Sequence, residues 1–158
     1  MPAHPVIGPE WIENAPITVE QRVDIAAPPS AVWTHIARHE AWPEWFTELD
    51  SVERIGSGDV VGNGRMVKIK MLTLVEEFTV WEPDRHFAFA VVKSPFPFLA
   101  RMAEEVVLEP NSDGTTVTYR QGLEGRKYLG GLMKTIWKPA PAQVKRALSR
   151  LAERATAG

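Results

Sequence analysis

Cysteine is absent from the 158-residue sequence. Its absence excludes disulfide bonds, thiolate nucleophiles and cysteine metal ligands, and it agrees with a reducing cytosol. The first residues show no basic region followed by an apolar run, so no secretory signal peptide is expected. Apolar runs stay well below the roughly 20 residues that a membrane-spanning helix needs. Together these absences predict a soluble, cytoplasmic protein.

An excess of charge of one sign is also lacking, because 18 Lys and Arg stand against 20 Asp and Glu. The formal net charge of -2 argues against a dedicated nucleic-acid binder. Basic residues nevertheless concentrate between Arg126 and Arg154, where Glu153 is the only acid. On one continuous helix, four lysines there would form a stripe that is either a solvated face or a transient contact with a membrane or an acidic partner. They are Lys127, Lys134, Lys138 and Lys145.

Metal ligands and catalytic motifs are scarce as well. His35 and His39 are four residues apart, but zinc needs at least a third ligand, no H-E-x-x-H motif occurs, and Pro43 indicates that the helix ends nearby. We therefore expect both histidines to face solvent or end a helix, and we predict no metal and no cofactor. The Gly56-Ser57-Gly58 segment lacks the Gly-x-Ser-x-Gly pattern of a nucleophile elbow.

Alternating apolar and polar residues separated by turns dominate the chain up to residue 121, a pattern typical of antiparallel strands. Residues 1–16 contain four prolines and are predicted to form an extended N-terminal arm. A short helix follows the first strand, and Pro43 marks a break that precedes a second short helix. The predicted strands are Ile17–Ile25, Val52–Ile55, Met66–Met71, Leu74–Trp81, His86–Val92, Met102–Glu109 and Thr115–Gln121.

The C-terminal segment has a different pattern, because apolar residues recur at spacings of three and four from Leu129 to Ala155. Pro139 and Pro141 predict a kink near Lys138 in an otherwise long helix. That helix carries the only apolar stripe large enough to cover the sheet. The sequence thus predicts one α+β domain over residues 17–156, in which a curved antiparallel sheet of six or seven strands wraps around the helix.

Four segments, in this order, resemble the START-like (SRPBCC) superfamily and within it the polyketide cyclase/dehydrase and lipid-transport family. The resemblance covers roughly residues 17–155 and implies a helix-grip fold with a deep cavity between sheet and C-terminal helix. Family members bind sterols, lipids or polyketides; some are aromatases or cyclases and many are carriers. The segments are Val23-Asp24-Ile25-Ala26-Ala27-Pro28-Pro29-Ser30-Ala31-Val32-Trp33, Trp42-Pro43-Glu44-Trp45, Trp81-Glu82-Pro83-Asp84-Arg85 and Asp113-Gly114-Thr115-Thr116-Val117-Thr118-Tyr119.

Large side chains on the faces assigned inward are the candidates for contact with a ligand. A filled core would show the same pattern, and only the family resemblance favours a hollow one. The ligand-binding candidates are Trp33, Phe87, Phe89, Glu104, Tyr119, Met133 and Trp137.

Glu104 is the candidate best suited to acid–base chemistry, because it carries a carboxyl on an apolar strand face. Period-two alternation places it on the same face as Met102 and Val106. If that face lines the cavity, its carboxyl would have a raised pKa and would act as an acid or anchor a ligand hydroxyl. A bulge in the strand would instead place it in solvent. Tyr119 either orients a ligand carbonyl or only packs. The sequence identifies no catalytic residue beyond these two candidates.

The apolar loop of residues 94–100 contains prolines that prevent regular strand pairing. Exposed Phe96, Phe98 and Leu99 would form a lid at the cavity mouth or a contact with a partner or membrane. The alternative is that the loop folds back and packs on the domain.

Three functions therefore fit the sequence. The favoured one is non-enzymatic binding or carriage of a lipid-like or polyketide-like molecule. The second is a cyclase, aromatase or dehydratase that uses the same cavity, and the third is a protein-interaction module. Neither the ligand nor the oligomeric state follows from the sequence.

Overall fold

The computed structural model describes residues 1–157, and these form seven strands, three α-helices and two short 3-10 helices. The strands are β1 (Ile17–Ile25), β2 (Ser51–Ile55), β3 (Gly64–Ile69), β4 (Leu72–Glu82), β5 (His86–Lys93), β6 (Leu99–Asn111) and β7 (Gly114–Gly125). The α-helices are α1 (Pro29–Ala37), α2 (Gly130–Ile136) and α3 (Ala140–Thr156), and the 3-10 helices are Pro9–Asn14 and His39–Glu44.

All seven strands belong to one antiparallel sheet with the order β1-β7-β6-β5-β4-β3-β2. Consecutive strands from β2 to β7 are neighbours, and β1 closes the order by pairing with β7 from Ile17 opposite Leu123 to Ile25 opposite Thr115. The predicted α+β helix-grip architecture is confirmed, with two short helical segments between β1 and β2.

The turn between β3 and β4 corrects the predicted strand Met66–Met71. Ile69 pairs with Leu72, and the two residues between them, Lys70 and Met71, form the turn with φ values of 47° and 70°. Left-handed residues at both central positions match the right-handed twist of the sheet, and Gly or Asn usually occupies them. Sequence patterning missed this turn because neither residue is a turn former.

The C-terminal segment is two helices and not one long helix with a kink. Trp137–Pro139 separates α2 from α3, at the place where the kink was predicted. Pro139 has no backbone N–H to continue α2, and the Ala140 N–H instead donates to the Trp137 carbonyl at 2.9 Å. The prediction of one continuous basic stripe along a single helix is therefore wrong. Its four exposed lysines lie before α2 (Lys127), in α2 (Lys134), in the break (Lys138) and in α3 (Lys145).

The N-terminal arm is only partly extended, which corrects the prediction for residues 1–16. The 3-10 helix Pro9–Asn14 buries Ile12, which lies against Gly122 of β7. A Cβ on Gly122 would come within 3.0 Å of the Ile12 Cα, so a glycine is needed for this close approach.

The core consists of two clusters on the inner face of the sheet. The larger lies beneath α1 and α3, and the smaller lies beneath α2 around Leu99, Leu123 and Met133. α3 buries one face, formed by Ala140, Val144, Ala147, Leu148 and Leu151. Among residues 1–157, no helix combines the length and the hydropathy that crossing a membrane requires.

We expect Leu151→Ala to lower the free energy of unfolding by about 3 kcal/mol, because Leu151 is fully buried and its truncation leaves a cavity. Urea denaturation monitored by circular dichroism measures this change. Leu132→Ala is the matched control, since Leu132 on α2 is largely exposed and its loss costs less than about 0.5 kcal/mol. Equal losses in the two variants would contradict the assigned core.

Candidate functional site

A cavity of about 580 Å³ lies between the inner face of the sheet and the break between α2 and α3. Its volume is within the range of small-molecule sites. The cavity reaches the surface at Lys70, Leu72 and Ile136, which are exposed residues of its lining. Strand residues of its wall are Arg65, Val67, Ile69, Leu72, Leu74, Glu76, Phe89, Met102, Glu104, Tyr119 and Gln121; helix and loop residues include Trp42, Phe46, Leu49, Phe96, Ile136, Trp137, Pro139, Ala140, Gln143 and Val144.

Four of the seven ligand-binding candidates line this cavity: Phe89, Glu104, Tyr119 and Trp137. The other three are buried outside its lining, which corrects the predicted site. Trp33 packs against Trp81 with ring centroids 5.0 Å apart. Phe87 is covered by Trp42 and His39. Met133 lies directly over Gly125, where α2 contacts β7 without a gap.

The loop at residues 94–100 folds back onto the domain. Phe96 lines the cavity and stacks on Phe98, with the ring centroids 5.6 Å apart. Leu99 is buried as the first residue of β6 and forms no exposed lid, so of the two alternatives for this loop the structure agrees with packing on the domain. The buried Ser94 hydroxyl fixes the loop, because it accepts the Phe96 N–H and bonds the His4 ring at 2.7 Å.

Glu104 points into the cavity, because strand alternation is unbroken from Met102 to Leu108. The register shift in β6 occurs earlier, between Leu99 and Arg101. One carboxyl oxygen of Glu104, Oε1, accepts the Tyr119 hydroxyl at 2.8 Å and the Gln121 side-chain N–H at 2.9 Å. Both hydrogen bonds that the carboxyl forms within residues 1–157 end on Oε1, so Oε2 is left unbonded.

Burial and the nearby negative charge of Glu76 raise the pKa of Glu104 to about 7. The hydrogen bonds from Gln121 and Tyr119 and the positive charge of Arg65 oppose this shift. Since Oε1 already accepts two hydrogen bonds, the proton of the neutral acid belongs on Oε2 and is available to the cavity. Burial and Glu104 also raise the pKa of Tyr119 well above its ordinary value, so this phenol remains a donor.

Gln121 also lines the cavity, but it was not among the ligand-binding candidates identified from the sequence. Its side-chain oxygen accepts the indole N–H of Trp137 at 3.0 Å, while its nitrogen donates to Glu104. The Gln121 side chain therefore connects Trp137, in the break between α2 and α3, to the Glu104 carboxyl through two hydrogen bonds. Because Gln121 is two residues from Tyr119 on β7, the period-two rule used for Glu104 would have placed it inward.

A buried ion pair forms a second polar feature of the cavity wall. Arg65 on β3 donates from Nε to Glu76 Oε1 on β4 at 2.6 Å, and the two residues are direct cross-strand partners. The Arg65 guanidinium also lies 4.0 Å from the ring centroid of Trp42 and 4.7 Å from that of Phe89. Burial raises the pKa of Glu76, whereas the Arg65 charge opposes that rise.

His39 is fully buried, so it does not face solvent, but it does stand at the end of a helix as the first residue of the 3-10 helix His39–Glu44. Its ring stacks on Phe78, and its Nδ1 lies 3.2 Å from Arg65 Nη1. Burial and the Arg65 charge lower the pKa of His39 to about 3. The ring is therefore neutral, with Nδ1 accepting from Arg65 and Nε2 facing the Asp59 carboxylate at 3.2 Å. His39 thus helps to position the Arg65 guanidinium at the cavity wall.

This cavity has the position expected for a helix-grip protein, and comparison with known families agrees. Residues 16–156 match the family described as polyketide cyclase/dehydrase and lipid transport. The chain belongs to this family. The family and fold place the protein in the START-like superfamily and support a ligand-binding or cyclase role.

One curated protein and two solved structures are similar to this chain at low sequence identity. An uncharacterized protein of Mycobacterium tuberculosis is 27% identical over 119 residues, which cover 72% of this chain and 69% of that protein. The ZhuI aromatase/cyclase from Streptomyces sp. R1128 superposes with a TM-score of 0.73 at 17% identity, covering 90% of this chain and 98% of that one. The Thermus thermophilus protein TTHA0849 gives 0.70 at 24% identity, covering 89% and 98%.

The raised pKa of Glu104 predicts that the folded protein loses stability as the pH rises from about 4.5, the ordinary value for Glu, to about 7. The folded state keeps its proton across this window while the unfolded state releases it. Glu104→Gln removes this contribution, which is on the order of 1–3 kcal/mol. Urea unfolding of both proteins across this pH range measures the difference, with the exposed Glu20→Gln as the matched control. Identical pH slopes for Glu104→Gln and the parent protein would contradict a buried neutral acid.

Proposed function

We propose that this protein binds an apolar small molecule that carries an uncharged oxygen function, such as a hydroxyl or a carbonyl. The observation that carries the proposal is the cavity of about 580 Å³ between the sheet and the helix break. Aliphatic and aromatic side chains form most of its wall. Burial of apolar ligand surface against that wall would supply the affinity, at roughly 25 cal/mol per Å² before the costs of association.

The polar groups of the cavity would set the orientation of the ligand. With a pKa of about 7, Glu104 is protonated in about half of the molecules at neutral pH, and this form offers an O–H on Oε2 that a ligand carbonyl or hydroxyl oxygen would accept. A group that leaves this donor unpaired would bind less well, since a buried polar atom without a partner costs about 1–3 kcal/mol.

The charge of the cavity wall favours an uncharged inner end on the ligand. The positive charge of Arg65 is already compensated by Glu76, and Glu104 is a second acid near that pair. A ligand carboxylate placed beside Glu104 would put a further negative charge near that of Glu76, in a region where water is excluded, which is unfavourable.

Filling the cavity tests the proposal. We expect Ala140→Phe to place a ring in the space beside Val144 and to weaken binding of an apolar fluorescent probe roughly tenfold or more. The readout is equilibrium fluorescence titration, together with native mass spectrometry of the purified protein for a retained ligand.

Ala142→Phe is the matched control, because Ala142 is exposed on the same helix and a ring there leaves the cavity open. Its probe affinity should equal that of the parent protein. If neither the probe nor extracted lipids bind the parent protein, the proposed function is wrong.

A second candidate function, dehydration of a β-hydroxy carbonyl compound, is favoured by Glu104 specifically. A carboxyl with a pKa of about 7 and a free Oε2 in the cavity suits general acid–base catalysis at neutral pH. Glu104 would give its proton to the leaving hydroxyl, which departs as water. The resulting carboxylate would then take the proton from the neighbouring carbon, so that one water leaves and the carboxyl is regenerated. The fold is shared with an aromatase/cyclase, although at an identity that informs only on the fold.

For this candidate we expect Glu104→Gln to slow formation of the conjugated enone by at least about 100-fold while the probe still binds. The ultraviolet absorbance of the enone measures the rate on an aromatic β-hydroxy ketone. The control is Gln143→Glu, which places a carboxyl elsewhere on the cavity wall and leaves Glu104 in place. Turnover that is unchanged in Glu104→Gln would exclude Glu104 as the catalytic acid.

The third function, a protein-interaction module, has less support. It relied on an exposed apolar loop, but Leu99 is buried and Phe96 is directed into the cavity wall.

A further inference from the structure

Apolar side chains surround the opening of the cavity on its outer side. On one side is the β3–β4 turn with Met71 and Leu72, and on the other is α2 with Leu132 and Ile136. Their exposed fractions are 100% for Met71, 47% for Leu132, 40% for Ile136 and 37% for Leu72. Lys70, Leu72 and Ile136 also belong to the cavity lining, so these side chains stand at its entrance. We call Lys70, Met71, Leu72, Leu132 and Ile136 the mouth surface.

Met71 is the most exposed member and has an unusual backbone. Its φ of 70° lies in the left-handed region, which favours glycine and is strained for a long side chain. An exposed apolar side chain at the tip of a two-residue turn has no packing role in the domain.

Positive charge accompanies the mouth surface. Lys68 and Lys70 are exposed at the β3 end of the turn, and Lys134 and Lys138 are exposed on either side of Ile136 in the sequence. From Arg126 to Arg154 the chain carries eight basic residues and a single acid, Glu153. The surface around the entrance therefore combines exposed apolar side chains with four lysines. Two acids lie beside them: Glu48 in the cavity lining, and Asp50, whose carboxyl accepts the Lys70 backbone N–H at 2.6 Å.

We propose that the mouth surface docks on a bilayer that contains anionic phospholipids, with Met71 and Ile136 entering the interface between headgroups and acyl chains. Lysines attract the anionic surface, and exposed apolar side chains add affinity by leaving water. Docking would place the cavity entrance against the lipid phase, so that an apolar ligand could enter without crossing water.

An acidic protein would also be attracted by the lysines, but the apolar tips favour the membrane. Single side chains at the end of a turn and on a seven-residue helix offer little area for a protein interface. Shallow insertion into a bilayer needs no such complementary surface.

The absence of cysteine gives a direct test of insertion. Met71→Cys can be labelled at one site with the environment-sensitive fluorophore NBD, because the chain has no other thiol. Vesicles of phosphatidylcholine with roughly one-third phosphatidylglycerol should shift its emission to the blue and raise its intensity about twofold or more. Val61→Cys is the matched control, since Val61 is 62% exposed on the loop at the other end of β3, roughly 20 Å away. Equal responses at the two positions, or none at Met71, would overturn the proposal.

Two further variants separate the apolar and the electrostatic contributions in vesicle sedimentation. Met71→Gly removes the side chain and relieves the left-handed backbone, so the variant folds at least as well while its vesicle partition falls about fivefold or more. Lys134→Glu with Lys138→Glu should lower partition about tenfold or more, and salt should weaken binding of the parent protein. The charge control, Arg22→Glu with Arg150→Glu, reverses two exposed arginines on β1 and α3 and should keep the partition of the parent protein within about twofold.

Binding that depends on the lysines but not on Met71 would overturn membrane insertion, because it would show electrostatic adsorption to the headgroups alone. The test does not require an occupied cavity. Vesicle docking by Ala140→Phe, in which the cavity is filled, would therefore support the mouth surface even if ligand binding were lost. Failure of docking with intact probe binding would overturn only this inference.

Discussion

Pro139 has no backbone N–H, and the C-terminal helical segment is therefore divided at the point where it passes over the sheet. α2 can then lie against β7 at Gly125, while α3 packs along β1 and α1. The residues of the break, Trp137 and Pro139, are left facing the cavity. The position of the cavity, its polar groups and its entrance all depend on this division.

Buried ionisable groups in the cavity wall are tolerated because each has a partner. Arg65 is held by Glu76 and by the neutral ring of His39, and Glu104 accepts hydrogen bonds from Tyr119 and Gln121. Such groups usually cost stability compared with apolar residues of the same volume, because both charges must leave water. Their grouping on the sheet side of a mostly apolar cavity is the structural reason to expect recognition of a polar atom on the ligand.

Period-two alternation along the strands explains which site residues were identified from the sequence. It also shows which further site residues the same rule would have identified. It put Glu104 on the same face as Met102 and Val106 but left open a bulge that would expose it. The structure has no such bulge, because β6 shifts register only before Arg101. The same rule applied to β3 and β4 places Arg65 on the strand face of Val67 and Glu76 on the strand face of Leu74. Because both residues are charged, the sequence did not identify them as candidates for the inner face. Phe87 shows that an inward-facing residue need not line the cavity, because Trp42 and His39 cover its ring.

The sequence by itself determined the seven strands, the antiparallel order of β2–β7 and the site of the helix break, because strand period, turn residues and proline act locally. Only the tertiary structure decided that the core is hollow, that α2 closes tightly over Gly125 and that His39 lies among aromatic rings. Those outcomes depend on how side chains from distant segments fill a shared volume. Amino-acid patterns specify which face is inward, but not how much space remains once the faces meet.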